Sequence, residues 1–105
     1  MEEQHEQRRG DRRLALQVPI TLLPVGSGPA MTGITRDLSM GGVFFYAAAD
    51  FSVGSKVVFE LTLPAEILNG KAMPVRGKGE VLRVAVNPEG QTGVAVRVDS
   101  YQPLQ

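Results

Sequence analysis

Leu14, Leu16, Val18, Ile20 and Leu22 alternate without a break, with Gln17, Pro19 and Thr21 between the later ones. A period of two places the apolar set on one face of a strand and spreads it around a helix, so this run is a half-buried strand. The same alternation returns at Val57, Phe59, Leu61 and Leu63, and again at Val94, Val96 and Val98. No segment carries a helical period. Turn residues separate the runs at Gly26–Pro29, Asp50–Gly54 and Asn87–Gly90, which divides the chain into six strands: 14–22, 30–38, 43–46, 57–63, 72–86 and 93–98. Residues 65–68 suffice for one helical turn. Gly77 and Gly79 mark a kink or bulge, and Pro19, with no N–H to donate, marks an edge or a bulge. Phe44, Phe45 and Phe59 read as core. Six strands in 105 residues predict an all-β fold, a small six-stranded antiparallel barrel whose closure removes exposed sheet edges.

The length fits one domain. Its expected division is a flexible, charged N-terminal arm over 1–13, a barrel over 14–99 and a short tail over 100–105 with little or no C-terminal helix. The chain has no Cys, which excludes disulfides and thiol chemistry and accords with a reducing, cytoplasmic setting. No apolar stretch approaches the roughly 20 residues of a membrane helix, so no membrane insertion is expected.

The formal net charge of zero conceals an uneven distribution. Residues 1–7 carry Glu2, Glu3 and Glu6; residues 8–13 carry Arg8, Arg9, Arg12 and Arg13 against Asp11; beyond them seven basic and seven acidic side chains cancel. An all-arginine cluster therefore stands just before the first strand. Guanidinium forks suit phosphate oxygens and purine edges. Bulk nucleic acid is not expected as a partner, because such binders are strongly basic and this chain has six aromatics. Catalytic machinery is not visible. The one histidine, His5, lies in the acidic segment, Ser39 is not in a nucleophile elbow, and no metal-ligand, Walker or dinucleotide pattern occurs. The expectation is a binding protein, not an enzyme, with no metal and no cofactor.

Two polar constellations remain: Arg9-x-x-x-Arg13 with Arg8 beside it, and Asp37-x-Ser39-x-x-Gly42. A hairpin folded about Gly26–Gly28 sets Arg13 opposite about position 41, so both motifs meet at one end of the barrel. Arginine forks take phosphates and the O6/N7 edge of guanine. An ionised Asp37 accepts from guanine N–H groups and Ser39 donates to a phosphate, while Gly42 permits close backbone approach or a positive φ. Together these groups fit an anionic guanine nucleotide. Asp37 and Ser39 equally fit a second role, capping the turn into Gly41-Gly42.

The Arg8-Arg9-Gly10-Asp11-Arg12-Arg13 segment, Asp37-Leu38-Ser39-Met40-Gly41-Gly42 and the late Gly93-Val94-Ala95-Val96 strand resemble the PilZ domain. The resemblance implies a six-stranded antiparallel barrel of the split-barrel type, and cyclic di-GMP as ligand. By matching position, Arg9 and Arg13 would hold guanine edges and phosphates, Asp37 and Ser39 would contact a guanine base, and Gly42 would shape the loop. Arg8, just before the motif, implies a ligand bound as an intercalated pair. A downstream protein partner follows from such a receptor; the alternative within the family is a protein–protein adaptor that binds no nucleotide. Asp99–Gln105 is too short and proline-broken for the C-terminal helix common in the family.

Overall fold

The computed structural model describes residues 13–23 and 28–104. The alternating runs become β1 (Pro19–Leu23), β2 (Met31–Leu38), β3 (Gly42–Ala47), β4 (Lys56–Leu63), β5 (Met73–Val86) and β6 (Thr92–Pro103), with a single helical turn α1 (Ala65–Leu68) between β4 and β5. Every pairing is antiparallel. The sheet closes on itself in the order β1-β2-β3-β6-β5-β4. The six-stranded all-β barrel expected from the sequence is the fold observed. One set of each alternation fills it: Ile20 and Leu22, Val43 and Phe45, Val57 to Leu63 by twos, then Val75, Val81, Val94 and Val96. Phe45 and Phe59 are completely buried there, each burial stabilising by roughly 1.5–3 kcal/mol.

Phe44, read as core, lies elsewhere. It is buried but outside the core cluster, because in β3 it shares its phase with Gly42 and Tyr46 on the outer face. The first strand also differs from expectation, beginning at Pro19 and not at Leu14. Leu14 forms an isolated bridge with Leu38. Between these points Leu16 donates to the Leu14 carbonyl, a local turn that takes the chain out of the ladder. The Thr35 hydroxyl fills the gap, accepting from Val18 N at 2.8 Å and donating to the Leu16 carbonyl at 2.6 Å. Pro19 is thus a strand-initial proline in a closed sheet, not a bulge but a local edge position, paired with β2 and unpaired on the β4 side. Thr35 N bonds to Val18 O on the β2 side, and pairing with β4 starts only at Thr21, so the missing N–H leaves no ladder position empty.

Three register shifts bend the barrel. The extra residues are Arg36 in β2, Leu82 in β5 and Asp99 in β6, so the kink expected at Gly77 and Gly79 belongs to the strand opposite Gly79 and to Leu82. β6 extends well past the expected Val98, pairing Tyr101 with Gly77 and Pro103 with Val75. The Asn87–Gly90 turn is closed by Asn87, which bonds to Gln91 through both backbone and side chain, and Gly90 adopts φ +85°, a conformation that suits glycine. Among the described residues no helix is long and apolar enough to cross a membrane.

Candidate functional site

Leu14 both donates to and accepts from Leu38 at 2.9 Å. This backbone clamp fixes where Arg13 leaves the barrel, beside the start of the β2–β3 loop. From there the Arg13 Nη1 donates to Asp37 Oδ1 at 2.8 Å. The two motifs, 24 residues apart, are therefore in contact, as the hairpin argument expects, although Leu14 pairing with Leu38 sets Arg13 about two positions short of residue 41. Arg8 and Arg9 lie outside the described residues, as does part of the Gly26–Pro29 turn.

Asp37 owes its position to the bulge. With Arg36 inserted, Asp37 stands opposite Phe44 on the outer face while Thr35 and Leu38 face Phe45 and Val43. Its carboxylate is 10% exposed and bonds to two guanidinium groups: Arg13 on Oδ1, and Arg36 Nε on Oδ2 at 2.8 Å. Both arginines are half-exposed (51%), so they keep donors directed to solvent. The hydrogen bond from Arg36 to Asp37 raises the Arg36 pKa above its ordinary value, against the opposing effect of burial. Asp37 is thus a buried anchor that presents two cationic forks, each with further N–H donors for an incoming anion.

Ser39 is fully buried. Its hydroxyl accepts from Gly42 N at 3.1 Å and lies 3.3 Å from the Gly42 carbonyl, and its own N–H donates to that carbonyl at 2.8 Å. This is the turn-capping role held open by the sequence. Gly42 is needed for close approach: a Cβ there would meet the Val96 carbonyl at 3.2 Å and Arg13 Nη2 at 3.6 Å. Its φ is not among the positive ones. The loop is held from β6 as well, by Val98 N donating to Gly41 O at 2.9 Å and the Tyr101 hydroxyl donating to Ser39 O at 3.3 Å. Burial pushes the Tyr101 hydroxyl up to about 12.

The motif reading did not single out Arg36, Phe44, Tyr46 or Tyr101. The strand phase of Gly42, Phe44 and Tyr46 was a usable signal for two of them. Alternation from the inward Thr35 already turns Arg36 outward, but only the bulge brings Asp37 to that face beside it, so their contact carried no local signal. The Arg36 guanidinium lies 4.0 Å above the Phe44 ring centroid, a cation–π contact.

A family profile described as PilZ domain matches residues 6–105, both motifs and all six strands included. No curated protein sequence matches the chain. Among solved structures, the Bacillus subtilis inhibitor of motility (MotI/DgrA) is similar at a TM-score of 0.72 and 17% identity, over 91% of this chain and 44% of that one. The chain thus spans less than half of that protein, and at this identity the likeness concerns the fold. With the profile covering nearly every residue and the closed barrel carrying Arg13, Asp37, Ser39 and Gly42 at one end, the chain belongs to the PilZ domain family.

Proposed function

We propose that this protein is a cyclic di-GMP receptor, a family of receptors and adaptors being its setting. The observation that carries the reading is the Arg13–Asp37 contact at 2.8 Å beside Gly42, which makes one site of two motifs. Asp37 holds Arg13 and Arg36 with donors turned outward, and Arg8 and Arg9 complete the cationic set. The phosphates of the ligand take the arginine forks, and a guanine presents its N–H edge to the Asp37 carboxylate oxygens, each of which keeps a second lone pair. Ser39 and Gly42 keep the loop in the shape that admits the nucleotide. Charge neutralisation then fixes the 1–13 segment against the barrel and changes a surface read by a protein partner, a coupled ordering of known type.

The test is calorimetric titration with cyclic di-GMP, which also reports whether the ligand binds singly or as an intercalated pair. Arg13→Ala and Asp37→Ala are each expected to weaken binding about tenfold or more. Equal binding by the wild type and both variants overturns the site. Absence of heat with the wild type favours the adaptor that binds no nucleotide.

A further inference from the structure

The outer face continues beyond Asp37 into a cavity of about 240 Å³ that neither motif reaches, lined by Arg36, Phe44, Tyr46, Arg83, Ala85 and Gly93 among others. Its floor is made from small residues. A Cβ at Gly93 would come within 2.9 Å of the Phe44 ring and 3.2 Å of Tyr46, so glycine there lets both rings lie down on β6. The rings meet edge to face, centroids 5.5 Å apart at 76°. Arg36 covers Phe44 with one face of its guanidinium and leaves the group half-exposed. On the opposite wall Arg83 forms no ion pair or hydrogen bond among the described residues, whereas Arg97, also on the outer face, is held by Glu80 and Asp99.

This combination suits a flat, electron-rich ring. Guanidinium and aromatic planes stack on nucleobases, and an uncommitted arginine fork matches the acceptor edge of a purine. The cavity is smaller than the roughly 300–1,000 Å³ of sites enclosing a whole drug-sized ligand, so it receives one part of a larger molecule. Arg36 joins it to the motif site directly, with Nε on Asp37 and the guanidinium plane over Phe44. We infer that this trough is a base-stacking subsite: one purine of the nucleotide stacks on the Arg36–Phe44 pair, and Arg83 donates to its O6/N7 edge. The assignment rests on the nucleotide-receptor reading above and names two further specificity-determining residues for it.

Cyclic di-GMP is titrated calorimetrically into the whole chain and into Arg36→Lys, which keeps the charge and loses the planar fork, and Arg83→Ala, with circular dichroism as the check on folding. Each variant is expected to bind about three- to tenfold more weakly than the wild type. In two-dimensional NMR of the wild type, the Tyr46 ring and Ala85 methyl signals are expected to move by ring-current shifts, with contacts from the Tyr46 ring to a purine proton. If the wild type binds and Asp37→Ala weakens it, yet Arg83→Ala binds like the wild type or the Tyr46 and Ala85 signals stay in place, the subsite is overturned while the receptor stands. A wild type that does not bind cyclic di-GMP overturns the receptor and the subsite with it.

Discussion

At Asp37 a single carboxylate holds two arginines, while Ser39 and Gly42 close the loop beside it. The types and spacing of Asp37, Ser39 and Gly42 are legible in the chain. Their separate tasks are not, because the Ser39 hydroxyl could serve a phosphate or the turn equally well until Gly42 is seen 3.1 Å from it. Tyr101 lies 62 residues from Ser39 and reaches its carbonyl, a contact no local pattern announces. Its hydroxyl is raised by burial from 10.0 to about 12. The unfolded chain therefore loses this proton first, and the contribution of neutral Tyr101, complete below about pH 10, is lost as pH rises through about 12. Between about pH 9 and about pH 11 urea unfolding is expected to show a Tyr101-dependent loss of about 1 kcal/mol. Tyr101→Phe should remove that part of the decline; the same decline in both proteins would show that Tyr101 is not its source.

Among the elements, the bulges determine what the strands present. Without the bulge, regular alternation of β2 would carry Asp37 into the interior with Thr35, where an ionised carboxylate is costly. With it, Asp37 pairs with Phe44 outside and β2 regains its inward phase at Leu38. Gly77 in β5 has a steric reason of its own: it stands opposite Phe59 of β4 and Tyr101 of β6, and a Cβ would overlap the Phe59 ring. Gly77→Ala gains about 0.4–1 kcal/mol through the unfolded chain, yet overpacking a tight core costs about 1–3 kcal/mol, so the steric effect wins. A net destabilisation of about 1–2 kcal/mol is expected in urea unfolding. A more stable variant would mean that the Phe59 ring gives way.

On the scale of the molecule, the closing seams join strands distant in sequence: β1 pairs with β4 and β3 with β6. Such non-local pairing incurs its loop-closure entropy before contacts compensate it, so folding is expected in the millisecond-to-second range by stopped-flow, slower than helical domains of this length. Microsecond refolding would count against closure as the limiting event. The sequence by itself determined the strands, their turns and their apolar faces, because period-two alternation and turn chemistry are local properties. It also determined that Arg13 and Asp37 share an end of one hairpin. Only the tertiary structure decided the strand order, the outward phase of Phe44, the three bulges, the extension of β6 to Tyr101 and the joining of Arg36 to Arg83 across four strands. Each of these depends on which distant segments pair and in which register, and alternation along one strand is the same whichever neighbour it receives.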